Sequence, residues 1–244
     1  DGGESVREWN ADNKVFDAIK YVKTTNDDNG DADTINIHGG KNAVMGGAAG
    51  DKIEIGDQNK NNGNENVVLG DGGSYVVDKT NKEVTVATSR EVKDGKVVIY
   101  GDVDTINIHG GQNTVMGGAA GDKIELYGDD NIVLGDGGES VREWNAENKV
   151  FDAIKSVKTT DGDNGGEDRI NIHGGKNAVM GGAVDDKINI GDEGKGNGNI
   201  NVVLGDGGSY VVDKTKKEVV VETSREIKDD EVIIHGGVDT INIH

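Results

Sequence analysis

The sequence predicts an all-β protein, a parallel β-roll or β-solenoid that carries inserted or continuing β-hairpin segments. Three observations support this fold class. Residues 1–109 align without gaps on residues 136–244 with 86 identities, so the chain is about 1.8 copies of a 135-residue unit. Inside each unit, Asp or Asn recurs every nine residues, two residues before an Ile or Val. Glycine accounts for 40 of 244 residues and proline for none, and glycine supplies the positive φ angles of tight turns.

The nine-residue period predicts a glycine-rich turn followed by a short strand. Side chains alternate between the two faces of a strand, so an aliphatic residue two positions after a polar turn residue points inward. One such segment cannot bury its aliphatic side chain alone, and stacked segments form a continuous core. The clearest run has Asp104, Asn113, Asp122 and Asn131 before Ile106, Val115, Ile124 and Val133.

We therefore expect one continuous solenoid, with a first unit over residues 1–135 and a truncated second copy over residues 136–244. If two nine-residue segments make one coil, alternate segments stack on the same side. One flank then carries aspartates and the opposite flank carries asparagines. The predicted pairs are Asp33 over Asp51, Asp104 over Asp122, Asp168 over Asp186, Asn42 over Asn66, Asn113 over Asn131, and Asn177 over Asn201.

The turn sequence carries a resemblance to a known family. Residues 46–54 read GGAAGDKIE, and residues 117–125 repeat this string. It resembles the RTX nonapeptide GGxGxDxUx of secreted bacterial proteins, with Ala49 in place of the third glycine. The alternation of Asp and Asn also departs from the family, in which Asp tends to recur in every nonapeptide. The resemblance implies a calcium-binding parallel β-roll, as in giant repetitive surface proteins and adhesins, and type I secretion.

Calcium is the cofactor that we predict for the aspartate flank. It takes six to eight hard oxygen ligands, which stacked carboxylates and turn carbonyls can supply. The alternative is that these aspartates only cap turns, and that the GDGG aspartates lie in solvent. On the other flank we expect a cation-free ladder of amides. The candidate metal ligands are Asp33, Asp51, Asp71, Asp104, Asp122, Asp136, Asp168, Asp186, Asp206, Asp239, Gly46, Gly117 and Gly181.

The longer segments between the roll blocks are predicted to be β-hairpins. Residues 70–104 and 205–239 read as strand, turn and strand, and residues 135–168 fit the same plan. A helix over residues 149–157 is the alternative, because three aliphatic residues there have helical spacing. We prefer strands, since both kinds of segment follow a GDGG motif.

Several side chains outside the aspartate flank receive structural interpretations. We expect the hairpin aromatic residues to pack within the hairpins, the methionines to lie at coil corners, and the histidines to be exposed turn residues. These residues are Trp9, Trp144, Tyr75 and Tyr210; Met45, Met116 and Met180; and His38, His109, His173, His235 and His244.

Composition and motifs exclude several classes of function. The chain has 46 acidic and 26 basic residues and a formal charge of −20, which argues against a nucleic-acid partner. It has no cysteine, so disulfides and thiol chemistry are excluded. No stretch approaches the roughly 18 apolar residues of a membrane span, and we expect no membrane insertion. No nucleophile elbow or phosphate loop is present, so we predict that the chain is not an enzyme.

The leading hypothesis is a calcium-stabilised structural spacer of a very large secreted or cell-surface bacterial protein, which folds on binding calcium outside the cell. The main alternative is an adhesive module that binds a polysaccharide or another copy. The expected partners are neighbouring repeats of the same chain, a second copy in end-to-end association, and a surface glycan.

Overall fold

The computed structural model describes residues 2–10, 15–24, 30–58, 60, 63–94, 96–98, 100–145, 150–159, 165–194, 201–223, 226–228, 231–233 and 236–244. These residues contain strands and no helix, which confirms the all-β prediction. The strands are β1 (Gly3–Asn10), β2 (Val15–Thr24), β3 (Thr34–Ile37), β4 (Gly40–Met45), β5 (Lys52–Ile55), β6 (Gly63–Leu69), β7 (Gly73–Asp78), β8 (Glu83–Thr88), β9 (Glu91–Lys93), β10 (Lys96–Val98), β11 (Thr105–Ile108), β12 (Asn113–Gly118), β13 (Lys123–Leu126), β14 (Ile132–Asp136), β15 (Gly138–Asn145), β16 (Val150–Thr159), β17 (Arg169–Ile172), β18 (Ala178–Gly182), β19 (Lys187–Ile190), β20 (Val202–Asp206), β21 (Gly208–Asp213), β22 (Glu218–Thr223), β23 (Glu226–Lys228), β24 (Glu231–Ile233) and β25 (Thr240–Ile243).

Two parallel sheets hold the nine-residue segments. The outer parallel sheet has the order β25-β19-β17-β13-β11-β5-β3, and the inner parallel sheet has the order β20-β18-β14-β12-β6-β4. The chain alternates between them, so that each outer strand up to β19 is followed by an inner strand. Because every second segment returns to the same sheet, residues at equivalent positions of the repeat lie side by side.

The first core lies between the two parallel sheets. Outer strands such as KIEI alternate lysine or glutamate outward with isoleucine inward, as period-two strands do. Ile53 pairs with Ile35 on one side and with Ile106 on the other. Together with Val115 and Val133 of the inner sheet, these isoleucines belong to one buried cluster.

A third layer is an antiparallel sheet made by the hairpins. Its order is β1-β2-β7-β8-β15-β16-β21-β22, so consecutive hairpins pair with one another along the stack. It packs on the inner parallel sheet through a second core, in which Leu69 and Met116 meet Tyr75 and Val86. The inner sheet is therefore buried on both faces, which explains its continuous apolar runs.

This layering corrects the expectation for the methionines. Met116 and Met180 are fully buried in the second core rather than at corners, and Met45 packs against the same core. Tyr75 lies in that core, as expected for a hairpin packing residue. The side chains of Trp9 and Trp144 lie outside the described residues.

The segment with a helical alternative is extended. Residues Val150–Thr159 form β16, which pairs with β15 and with β21, and Lys149 lies outside the described residues. Two small hairpins, β9–β10 and β23–β24, stand apart from the main sheets. None of the described residues forms a helix of the length and hydrophobicity that a membrane crossing needs.

Candidate functional site

The predicted aspartate pairs are joined into one column. Seven aspartates each stand immediately before a strand of the outer parallel sheet, and the parallel register aligns them. The backbone N–H of every one of them but the last donates to Oδ1 of the aspartate on the next strand, over 2.6 to 2.9 Å. The capping interaction considered from the sequence is thus present, but it acts between strands. In order, the column is Asp33, Asp51, Asp104, Asp122, Asp168, Asp186 and Asp239.

Within the described part of the chain, the second carboxyl oxygen, Oδ2, accepts no hydrogen bond in the buried residues of the column. Oδ2 of Asp51, Asp104, Asp122, Asp168 and Asp186 is buried without a hydrogen-bond partner among the described residues. Asp33 and Asp239, at the two ends, are more exposed. A buried carboxylate oxygen without a donor or a counter-charge destabilises the fold, so each of these oxygens needs a proton or a cation.

The predicted turn glycines form the wall against which these oxygens lie. A Cβ atom on Gly46 would collide with Oδ2 of Asp51 and with the carbonyl oxygen of Gly70. The same arrangement recurs at Gly117 with Asp122 and Gly135, and at Gly181 with Asp186 and Gly205. The carboxyl oxygen and a backbone carbonyl oxygen therefore approach the same small space, which only glycine leaves open.

Sequence reasoning missed three further glycines with the same role. Gly70, Gly135 and Gly205 stand against Asp104, Asp168 and Asp239 in the longer turns that begin with GDGG. The signal was available, because the first glycine of the GDGG motif directly follows an apolar run, VVL or IVL, just as Gly46 and Gly117 follow AVM and TVM.

Burial dominates the electrostatics of the column. Desolvation raises the pKa of Asp104 and Asp186 to about 7, of Asp168 to about 9 and of Asp122 to about 10. Neighbouring carboxylates raise these pKa values further, while the backbone N–H donors lower them. The pKa of Asp51 is also raised, mainly by burial.

The GDGG aspartates lie beside the column at the bases of the hairpins. Asp71 is fully buried and accepts a hydrogen bond from the N–H of Ala119, in the next turn along the stack. Asp136 is also buried and accepts from the N–H groups of Gly166 and Ala183. Burial raises the pKa of Asp71 to about 9 and of Asp136 to about 8. The alternative that these two aspartates lie in solvent is wrong.

Asp206 is the third aspartate of this type. It is half-buried and accepts a hydrogen bond from the N–H of Gly237 at 3.0 Å. The three GDGG aspartates thus hold the next glycine turn, or the segment that leads from a hairpin to the next outer strand, against the stack.

The asparagine flank forms the predicted amide ladder. Each Nδ2 donates to the Oδ1 of the next asparagine over 2.8 to 2.9 Å, from Asn42 through Asn201. Asn113 and Asn131 also donate to carbonyl oxygens of adjacent glycine turns. An amide has both a donor and an acceptor, so this flank is satisfied without an ion. The ladder contains Asn42, Asn66, Asn113, Asn131, Asn177 and Asn201.

The donor chemistry of the aspartate flank suits a hard cation. Each buried position offers one carboxylate oxygen and a nearby glycine carbonyl oxygen, the ligand types that calcium prefers. In the described part of the chain, no three His, Asp or Glu side chains form a group that could hold a metal ion by themselves. A calcium ion there would rely on backbone carbonyls and on carboxylates from successive turns, and the assignment stays a prediction.

A stack of rings is a feature that the sequence interpretation missed. His109, Tyr127 and His173 follow neighbouring outer strands, and their ring centroids are 4.7 and 4.3 Å apart. Asp192 lies 2.6 Å from Nδ1 of His173. His109 is buried, so the expectation of an exposed turn residue is wrong for it, while His38 is exposed. His235 lies outside the described residues.

Comparison with known proteins yields one partial match. Residues 92–145 match the model of a family described as a protein of unknown function (DUF3060). This segment runs from the small hairpin at β9 to the end of β15 and includes the turns of Asp104 and Asp122. No curated protein and no solved structure matches the chain.

Proposed function

We propose that this chain is a calcium-stabilised β-solenoid spacer of a very large secreted or cell-surface bacterial protein. Two sets of contacts support the spacer role. Strands of successive coils pair side by side in both parallel sheets, and successive hairpins pair along the antiparallel sheet. The amide ladder runs through the same stack. Such a stack grows along one direction, because each repeat contacts only its neighbours.

The growth of the stack gives a quantitative test of the spacer role. One 135-residue unit contributes four strands to each main sheet, for example β11, β13, β17 and β19 to the outer parallel sheet. At the usual separation of neighbouring strands, a unit lengthens the stack by about 19 Å. Small-angle scattering of chains with two, four and six tandem units should show that the maximum dimension increases by about 19 Å for each added unit. A dimension that rises only with the cube root of chain length would contradict the spacer role.

The column of buried Oδ2 atoms is the observation that supports calcium. These atoms are held at positions where an anion is unfavourable unless positive charge is supplied. Bound calcium would supply that charge, with Asp51, Asp104, Asp122, Asp168 and Asp186 as the principal side-chain ligands. Since an ion that binds only the folded state stabilises it by mass action, folding would follow the calcium concentration.

A calcium titration at neutral pH tests this part separately. Strand content by circular dichroism and the midpoint of thermal unfolding should rise with calcium and fall in excess chelator. Magnesium should substitute poorly, because it demands a smaller and more regular shell. Equal stability in calcium and in chelator would contradict the ion-coupled mechanism while leaving the spacer role intact.

A further inference from the structure

The outward face of the outer parallel sheet carries a row of positive charge. The first residues of β13, β17 and β19 are Lys123, Arg169 and Lys187, and they are paired directly across neighbouring strands. Lys52 occupies the same position on β5. All four are exposed, and we call them the cationic row.

The cationic row is unusual for this composition. The chain carries a formal charge of −20, and like charges placed directly opposite each other on a sheet destabilise it. Lys123 and Lys187 form no ion pair within the part of the chain that the structure describes, and Arg169 lies 3.7 Å from an exposed glutamate, Glu167. Lys52 lies 4.0 Å from Glu54, and Lys123 attracts Glu125, two residues further along the same strand. These carboxylates offset part of the charge, but Lys123, Arg169 and Lys187 still stand side by side on three neighbouring strands.

The next outward row of the sheet carries the glutamates Glu54 and Glu125 on β5 and β13, and amides on the strands β17, β19 and β25, which we call the amide row. Asn189 Nδ2 donates to Asn171 Oδ1, and Asn242 Nδ2 donates to Asn189 Oδ1, each over 2.8 Å. The opposite face of these strands is locked in the first core by residues such as Ile170 and Ile188, which are fully buried. From β13 to β25 the face therefore presents three cations, three amides and Glu125 on a rigid surface, repeating at the separation of neighbouring strands, about 4.8 Å.

We propose that this face binds a linear acidic polysaccharide that lies across the strands, with its carboxylates on the cationic row and its hydroxyls on the amide row. A uronic acid polymer carries one carboxylate on every sugar, at a spacing similar to the strand separation. Ammonium and guanidinium groups recognise carboxylates, and asparagine side chains exchange hydrogen bonds with hydroxyl groups. This inference does not rest on the proposed function, because the aspartate column stands in the turns before these strands and the cationic row is on their outward face.

Binding of short oligogalacturonate chains to the intact protein, measured by calorimetry in calcium buffer, tests the proposal. The variant Lys123→Gln/Arg169→Gln/Lys187→Gln removes the contiguous cations. We expect a loss of affinity of roughly tenfold or more, since each exposed charge pair contributes modestly. The matched control is Lys79→Gln/Lys82→Gln/Lys216→Gln, which makes the same charge change on exposed hairpin turns of the antiparallel sheet. It should bind as the parent does.

Further binding measurements distinguish an acidic polysaccharide from other ligands. Raising the salt concentration should weaken binding of the parent, because exposed charges are screened, and neutral dextran oligomers should not bind. Circular dichroism checks that both variants keep the parent's strand content. The proposal is overturned if the parent fails to bind, if the control variant loses as much affinity as the row variant, or if a single-stranded oligonucleotide binds as tightly as the oligogalacturonate.

Discussion

Replacing one buried carboxyl of the column by an amide should stabilise the protein in the absence of calcium. Asp122 is the clearest position, because its Oδ1 accepts from the N–H of Asp104 at 2.7 Å while its Oδ2 is buried without a partner among the described residues. In Asp122→Asn, the amide oxygen keeps the first contact. The new Nδ2 group faces the Gly135 carbonyl beside Gly117, as the amides do on the opposite flank.

The magnitude follows from the pKa of Asp122. Burial raises this pKa from 3.8 to about 10, so at pH 7 the folded chain holds a proton there that the unfolded chain has released. Each pKa unit corresponds to 1.36 kcal/mol, so keeping that proton between pH 3.8 and pH 7 costs the fold up to roughly 4 kcal/mol. The amide needs no proton, and the variant should recover a large part of this free energy.

The assay is urea unfolding at pH 7, followed by circular dichroism, in chelator and in calcium. Sucrose added to every sample favours the folded state of both chains equally. In chelator, Asp122→Asn should be more stable than the parent. In calcium the advantage should vanish or reverse, because the parent gains an ion that the variant binds less well. The control is Asp31→Asn, an equal charge change at an exposed position, which should shift neither curve by more than about 0.5 kcal/mol. Unchanged or lower stability of Asp122→Asn in chelator would mean that the buried carboxyl of Asp122 does not destabilise the fold.

Three further outcomes are expected. In chelator, the free energy of unfolding should fall as the pH rises from 5 to 8. Burial raises the pKa of Asp104 to about 7 and that of Asp122 to about 10, so at pH 5 these carboxyls are ionised only in the unfolded chain. Thermal melts that are independent of pH would contradict this. Asn113→Leu interrupts the amide ladder and should cost roughly 3 kcal/mol in urea unfolding, equally with and without calcium. Gly117→Ala places a methyl group against a carboxyl and a carbonyl, and its midpoint of thermal unfolding should fall further than that of Gly194→Ala. At Gly194 a Cβ meets nothing within 4 Å, and only the strain of positive φ applies.

The two flanks could be predicted from the sequence because parallel strands in register turn sequence periodicity into spatial columns. Asp104 and Asp122 are 18 residues apart, and their stacking follows from counting two nine-residue segments to a coil. The same counting gave the amide ladder through Asn113 and Asn131. Both predictions needed only local spacing and the rule that equivalent positions of a repeat lie side by side.

The three-layer arrangement could not be read in the same way. The inner strands have continuous apolar runs such as IVL, which indicate burial on both faces. The sequence does not show which element covers the second face, so the burial of Met116 against Tyr75 could not be predicted. The ring stack was missed for a related reason. His109 and Tyr127 are close in the repeat, but His173 reaches Tyr127 only because the chain returns to the outer sheet after the hairpin of β15 and β16.

Bound calcium should be visible in a crystal structure by its anomalous scattering. Crystals grown in calcium and measured for anomalous scattering should show peaks beside Oδ2 of the buried column residues, between successive glycine turns, and none beside the amide ladder. We expect ions near Asp51, Asp104, Asp122, Asp168 and Asp186. An intact aspartate column with no ion beside it, or equal peaks beside Asn113 and Asn131, would show that calcium does not stabilise the fold through this column.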